Sequence, residues 1–167
     1  LSKEEYQRLM TTLDTREEEL RAARDRYNCW RSARHLECYP DLRACTFADH
    51  IKPMVLLALG SGIRQGAMMR LQWERHIDLS AEQVVIKLTP DIVKTEQERR
   101  IPLDIKTSTL LKQWHQQLYP MQQGQGWVFP GEKPNSHITS IKKSWKTLLQ
   151  KANIENFTWH DMRHDYA

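Results

Sequence analysis

The sequence contains little cysteine and no long apolar run, and both absences narrow the possible classes of protein. Its cysteines are Cys29, Cys38 and Cys45. Because this odd number has no zinc-binding spacing, we expect reduced thiols and no metal site. No stretch of about eighteen apolar residues occurs, and Leu1 does not begin a charged and then apolar leader. We therefore expect neither a membrane-spanning helix nor a secretory signal, and we predict a cytoplasmic protein.

Internal repeats and low-complexity segments are also absent, which argues against repeat architectures. The composition is typical of a soluble globular protein, with 40% hydrophobic and 28% charged residues. A chain of 167 residues can bury one core but is short for two domains. The net charge of +4 and the isoelectric point of about 9.0 favour a nucleic-acid partner without establishing one.

The first third of the chain predicts helices with a charged surface. Ser2 and Glu5 have the spacing of a capping box, and apolar residues follow at helical spacing. Residues 15–34 carry Glu and Arg four apart, which supports an exposed helix. This helix is either a solvated face or a surface that contacts a partner or DNA. Residues 35–47 contain Pro40 and predict a loop.

The most apolar segment, Phe47 to Leu59, predicts a buried core helix with Pro53 in its first turns. Residues 60–67 then predict a helix stop and a tight turn, with a second helix through residues 68–73. Arg64 lies on this turn. It either holds an anion between two core helices or caps the end of the preceding helix.

Residues 84–88 and 99–103 predict two short strands of a β-hairpin. Their polar connection carries Lys94, which in isolation is most often only solvated. Residues 108–118 predict a further helix, and the prolines and glycines of residues 119–136 predict a loop with a short apolar anchor at residues 127–129. The predicted fold class is therefore α+β, mainly α-helical with one small antiparallel β-sheet.

Residues 138–152 predict an amphipathic helix with apolar residues inward and lysines outward. Lys142, Lys143 and Lys146 on its outer face form either a solvated surface or a track for DNA phosphates. A last helix is predicted to begin at Thr158 or Trp159.

In this last helix His160 and Arg163 stand three residues apart and project from one face. An imidazole and a guanidinium at a helix start make a site that binds an anion.

The residues Arg64, Lys94, His160 and Arg163 occur in an order that resembles the catalytic domain of the tyrosine recombinases, the phage-integrase family. The resemblance lies in four stretches of the chain. They are Leu57-Ala58-Leu59-Gly60-Ser61-Gly62-Ile63-Arg64, Leu71-Gln72-Trp73 with Ile77-Asp78, Lys94-Thr95 with Arg100-Ile101-Pro102-Leu103, and His160-Asp161-Met162-Arg163-His164. It covers residues 1–167 as a partial catalytic domain of the DNA breaking-rejoining fold, with residues 15–47 as a charged helical insertion.

The resemblance implies DNA integration or site-specific recombination through a 3′-phosphotyrosyl intermediate, without a metal or another cofactor. In this family's pattern Arg64 and Arg163 hold the scissile phosphate and Lys94 protonates the departing 5′-oxygen. His160 assists proton transfer and positions the phosphate. The implied partner is double-stranded DNA at a specific recombination site, with self-association on DNA through a carboxy-terminal segment.

Three departures from the family pattern matter. Ala67 occupies a position that is usually acidic. The nucleophilic tyrosine is expected downstream of Ala167, so this chain supplies no nucleophile; Tyr166 falls at a position that the family uses for a core residue. Third, we expect no core-binding domain before Leu1. The alternatives are a non-catalytic DNA-binding or regulatory module with a degenerate site, and a type IB topoisomerase-like protein.

Overall fold

Six α-helices and a three-stranded antiparallel sheet make up the computed structural model, which describes residues 1–93, 97–122 and 126–163. The helices are α1 (Lys3–Ser32), α2 (Ile51–Ser61), α3 (Gln65–Met68), α4 (Trp73–His76), α5 (Ile105–Gln122) and α6 (Lys142–Lys151). The strands are β1 (Ile77–Asp78), β2 (Val85–Leu88) and β3 (Arg99–Pro102). This arrangement confirms a mainly helical α+β protein.

Helix α1 begins with the predicted capping box, in which Ser2 and Glu5 bond each other's backbone N–H groups at 3.1 and 2.8 Å. It continues for 30 residues without interruption. Leu9 and Leu13 lie in the core. The Arg8 guanidinium donates to the carbonyl oxygen of Ala152 at 2.9 Å, which ties α1 to the end of α6. That residues 15–47 are an insertion stays a prediction.

Residues 35–47 form the predicted loop, with one 3₁₀ turn at Leu42–Ala44. The loop folds back on α1 because Arg24 and Arg31 donate to its carbonyl oxygens at 2.7 and 2.5 Å. The rings of Tyr27 and Tyr39 stack with centroids 5.8 Å apart, and each residue remains nearly half exposed.

Helix α2 is the predicted core helix, and it ends at Ser61, two residues after its predicted end. Gly62 follows as the cap, with a φ of 60° in the left-handed conformation. The single helix predicted through residues 68–73 is wrong. The chain instead forms the two short helices α3 and α4, because the backbone between them pairs elsewhere. Trp73 N–H donates to Gly126 O, and Val128 N–H donates to Leu71 O, both at 2.9 Å.

The sheet has the order β1-β2-β3, and β2 pairs with β3 as the predicted hairpin, with Ile86 opposite Ile101. Its period-2 pattern places Ile86 and Leu88 in the core and leaves Lys87 partly exposed. Strand β1 was not predicted, since two residues give no readable alternation.

Helices α5 and α6 have different bounds from those predicted. Helix α5 begins earlier and continues through Pro120, where the composition predicted a loop; the His115 and Tyr119 rings, 5.9 Å apart, pack along its last turns. Helix α6 begins at Lys142 rather than Ile138. The reason is that Ile138 N–H donates to Phe129 O at 3.0 Å in an extended bridge.

Candidate phosphate-binding site

Arg64 follows the Gly62 turn and forms the N-cap of α3, where its carbonyl oxygen accepts the N–H groups of Ala67 and Met68 at 3.0 Å. Its side chain is exposed. Among residues 1–93, 97–122 and 126–163 this guanidinium makes no hydrogen bond or ion pair. The interpretation of Arg64 as a cap for α2 therefore has no supporting contact in the described structure, and its donors are available to a ligand.

The terminal motif starts with a turn that agrees with the predicted helix start. The Asp161 carboxylate accepts both the N–H and the hydroxyl of Thr158, each at 2.7 Å. Asp161 N–H and Arg163 N–H then donate to the carbonyl oxygens of Thr158 and His160 at 3.1 Å. This reciprocal cap sets the direction of the chain that carries His160 and Arg163.

Apolar residues between the polar ones hold this motif against α6. Trp159 and Met162 are buried, and the Trp159 ring meets the Trp145 ring edge-on at 5.1 Å. The Phe157 ring also packs against the Trp145 ring, with centroids 6.1 Å apart. His160 is exposed and Arg163 is half-buried. The alternation of buried and exposed positions therefore turns the two basic side chains outward together.

A small open pocket of about 160 Å³ brings these basic side chains together. Its lining residues are Ile63, Arg64, Gln65, Trp159, His160 and Arg163. None of these described lining residues is acidic, so the pocket is electropositive. Three of the four predicted catalytic residues thus share one pocket, while Lys94 lies outside the described residues.

Ala67, at the position where an acid was expected, is buried and brings no carboxylate to Arg64. Lys142, Lys143 and Lys146 are exposed on α6 as the amphipathic pattern predicted, but they do not line the pocket. Lys143 lies instead beside a separate hollow of about 290 Å³ between α6 and α1.

Sequence reasoning missed a polar network behind the pocket. The Arg70 guanidinium donates to the carbonyl oxygens of Gly66, Asp91 and Ile92 at 3.0, 3.2 and 2.6 Å. His76 is fully buried, and its Nε2 lies 3.1 Å from Thr89 Oγ1. No periodicity marks such residues, because their partners are backbone atoms and side chains of a distant loop.

Burial lowers the pKa of His76 below its ordinary value, while the Asp91 carboxylate opposes this shift. Its Nδ1 accepts the Gln72 N–H at 2.9 Å. The neutral ring therefore carries its proton on Nε2 and donates it to Thr89 Oγ1. The Thr89 hydroxyl in turn donates to the Asp91 carboxylate.

Within the described part of the chain, His, Cys, Asp and Glu side chains form no group of three or more that could hold a metal ion. Cys29 and Cys38 are exposed free thiols, and Cys45 is partly buried. None of the described helices is long and apolar enough to cross a bilayer.

Comparison with known proteins gives one family and several relatives. The sequence model described as "Phage integrase family" matches residues 42–167. A tyrosine recombinase XerC-like protein of Caldanaerobacter subterraneus subsp. tengcongensis is 26% identical over 146 residues, which cover 70% of this chain and 37% of that protein. The integrase of Salmonella phage P22 is 25% identical over 131 residues, which cover 71% of this chain and 32% of the integrase.

The shufflon-specific DNA recombinase of Escherichia coli is 29% identical over 109 residues, covering 65% of this chain and 24% of the recombinase. The chain thus spans between 24% and 37% of the length of these curated relatives. No solved structure matches the chain.

Proposed function

This chain belongs to the phage integrase family, and from that membership we propose that the protein containing it cleaves and rejoins DNA at specific sites through a 3′-phosphotyrosyl intermediate. The observation that carries the proposal is the shared pocket of Arg64, His160 and Arg163. These residues come from two distant segments of the chain, and the described pocket they line has no acidic side chain. Such a pocket is suited to one phosphate group.

The two guanidinium groups would act on the charge that builds up during attack. A tyrosine oxygen adds to the scissile phosphorus, and negative charge grows on the non-bridging oxygens. Arg64 and Arg163 offer charge-assisted hydrogen bonds to these oxygens, which lowers the barrier because the charge is greatest in the transition state.

Protons move at the two ends of the reaction. His160 accepts the proton of the attacking tyrosine or orients the phosphate, while Lys94 gives a proton to the 5′-oxygen as the P–O5′ bond breaks. The phosphotyrosyl bond retains the energy of the cleaved bond, so religation by the reverse steps needs no nucleotide cofactor. We propose that the attacking tyrosine comes from residues after Ala167, and that the same segment supports self-association on DNA.

The proposed partner is double-stranded DNA at a recombination site. Lys142, Lys143 and Lys146 support this proposal as an exposed cationic face of α6.

A second candidate function is a DNA-binding or regulatory module that does not cleave. The buried Ala67 favours it, because Arg64 lacks the nearby carboxylate that the family pattern uses to hold this arginine.

A covalent trapping experiment separates the two functions. The full-length protein is incubated with a pool of nicked duplexes of randomised sequence, and protein–DNA adducts are isolated under denaturing conditions. We expect an adduct, whose DNA also identifies the target site. The variants Arg64→Ala and Arg163→Ala should each lower adduct formation by about 10²- to 10³-fold, since each removes donors to the transition-state charge.

The matched control is Lys133→Ala, which removes an exposed cation of a loop that does not line the pocket. It should form the adduct at the unmodified rate. If the unmodified full-length protein binds the duplexes but forms no adduct, the catalytic proposal is wrong and the regulatory module is supported.

A further inference from the structure

Arg70 joins the two segments that flank the candidate catalytic residues. Its Nε donates at 3.0 Å to the carbonyl oxygen of Gly66, two residues after Arg64. Its Nη1 and Nη2 donate at 3.2 and 2.6 Å to the carbonyl oxygens of Asp91 and Ile92. These last two residues stand three and two positions before Lys94. One planar guanidinium therefore sets the distance between helix α3 and the segment that leads to Lys94.

The segment that Arg70 holds is itself ordered. Ile92 is buried in the core, and the N–H groups of Ile92 and Val93 donate to the Thr89 carbonyl oxygen at 3.1 and 3.2 Å. His76, buried behind the turn, holds the Thr89 hydroxyl. Residues 89–93 thus form a turn attached to α3 by Arg70 and to α4 by His76. These contacts fix the position of the turn at its last residue, Val93, which precedes Lys94 in the chain.

A neighbouring arginine makes a weaker contact with the same turn. The Arg75 guanidinium lies 3.4 Å from the Asp91 carboxylate of this turn, and more than half of the Arg75 side chain is exposed. An exposed single ion pair orders its partners little. The three carbonyl contacts of Arg70 constrain the backbone itself, so Arg70 is the residue whose loss would let the turn shift.

We infer that Arg70 is a positioning residue for Lys94, holding the turn at residues 89–93 at the distance from Arg64 that the proton transfer requires. This inference rests on the proposed function, in which Lys94 protonates the departing 5′-oxygen. Arg70 does not touch the reacting atoms. Two of its three contacts lie at the exposed surface and the contact with Ile92 is part-buried. Water can replace the exposed guanidinium there, so we expect a displaced turn rather than an unfolded protein.

The test compares two leaving groups in the full-length protein. The DNA identified by covalent trapping is prepared with either oxygen or sulfur at the 5′ position of the scissile phosphate. A thiol ionises near pH 8.5, whereas an alcohol has a far higher pKa and is a much poorer leaving group as its anion. A 5′-thiolate therefore departs without a proton from the protein, and only cleavage of the oxygen substrate depends on Lys94.

We expect Arg70→Gln to slow cleavage of the oxygen substrate by about ten- to a hundredfold, because a displaced general acid loses much of its effect. Cleavage of the sulfur substrate should stay within about twofold of the unmodified rate. This second rate also shows that the variant is folded and holds the phosphate. For the oxygen substrate, the cleavage rate of Arg70→Lys should lie between those of the unmodified protein and Arg70→Gln, since one ammonium cannot span three carbonyl oxygens.

Lys112→Gln is the matched control. Lys112 Nζ donates to the carbonyl oxygens of Ala81 and Glu82 at 2.8 and 3.1 Å, which ties down the β1–β2 loop of the same sheet in the same manner. This variant should leave the ratio of the two cleavage rates unchanged. Equal slowing of both substrates by Arg70→Gln, or no slowing of either, overturns the inference.

The variant Lys94→Ala distinguishes failure of the inference from failure of the proposed function. If Lys94→Ala slows cleavage of only the oxygen substrate, Lys94 is the proton donor. The Arg70→Gln result then tests the positioning role alone. If Lys94→Ala slows both substrates equally, the proposed role of Lys94 is wrong, and the positioning role of Arg70 falls with it.

Discussion

A single buried carboxylate, Glu17, holds α1 against the start of α2. It is 2% exposed, although the charged pattern of residues 15–34 predicted a solvated helix. It accepts the Ala48 N–H at 2.9 Å and the Lys52 ammonium at 3.2 Å, and Arg21 lies 3.6 Å away. A buried charge is tolerated only when it is paired and hydrogen-bonded in this manner.

At the residue scale, we predict that Glu17→Ala lowers the free energy of unfolding by about 3 kcal/mol. The substitution leaves the Ala48 N–H without its acceptor. The Lys52 ammonium keeps its ion pair with the exposed Asp14 carboxylate at 2.7 Å but loses its buried partner, and removing one member of a buried hydrogen-bonded group is costly. Urea denaturation of the isolated chain measures this effect.

Glu19→Ala provides the comparison for Glu17. Glu19 pairs with Lys151 at 2.6 Å, but about half of each side chain is exposed. Its loss should change stability by no more than about 1 kcal/mol. Equal effects of the two substitutions would show that Glu17 behaves as an ordinary surface residue.

Among the elements, α2 and α5 approach each other closely at Gly60. A Cβ atom at this position would lie 2.1 Å from Thr107 Oγ1 and 3.0 Å from Thr107 Cβ, so only glycine fits without a shift. Gly60 stands four residues before Arg64. The spacing of the two helices therefore contributes to the position of the pocket.

We predict that Gly60→Ala destabilises the fold by about 1–3 kcal/mol, because overpacking forces the two helices apart. Thr107→Ala in the same chain should recover part of this loss, since it removes the nearest atom but not Thr107 Cβ. A double-mutant cycle by urea denaturation should give a favourable coupling of at least about 0.5 kcal/mol. Additive effects would mean that the two positions do not meet in solution.

At the scale of the whole molecule, two imidazoles in the described part of the chain make stability depend on pH: His76 is buried and His50 is partly buried. Burial lowers the pKa of both His50 and His76; Asp49 opposes the shift at His50 and Asp91 opposes it at His76. Nearby arginines, Arg16 and Arg75, add to the lowering. The unfolded chain titrates these groups near pH 6.5 and so binds more protons than the folded chain just below that value.

We therefore predict that the free energy of unfolding falls as the pH is lowered from about 7.5 to about 5.5. The stability due to these groups is present above their unfolded pKa and is lost as they become protonated. Urea midpoints across this range measure the slope. The double variant His50→Gln/His76→Gln should have a flatter profile, and a parent profile that is already flat would contradict the assignment.

Local sequence patterns predicted some of the helices and strands of this chain correctly but not all of their boundaries. The capping box of α1, the apolar run of α2 and the β-branched run of β2 are local signals, and each predicted its element. The predicted element boundaries are wrong where the backbone forms hydrogen bonds with a distant segment. Leu71 and Trp73 are examples, since they pair with residues 126–128. Local rules cannot detect such pairing.

The candidate site likewise combines residues that local patterns predicted with residues that they did not. Periodicity placed His160 and Arg163 on one face, but their link to Arg64 came only from the order of motifs in a known family. Arg70 and His76 carried no signal, because the loop atoms they bind lie far along the chain. Arg70 binds backbone carbonyl oxygens 21 and 22 residues away, and His76 binds a threonine hydroxyl 13 residues away.

The pocket also has a consequence for the time at which it forms during synthesis. One wall consists of residues 63–65 and the other of Trp159, His160 and Arg163. The ribosome releases the first wall long before the second, so a growing chain has one arginine of the pair and no closed binding site. Under the proposed function, the chain can therefore hold a scissile phosphate only after the ribosome has released residues beyond Arg163.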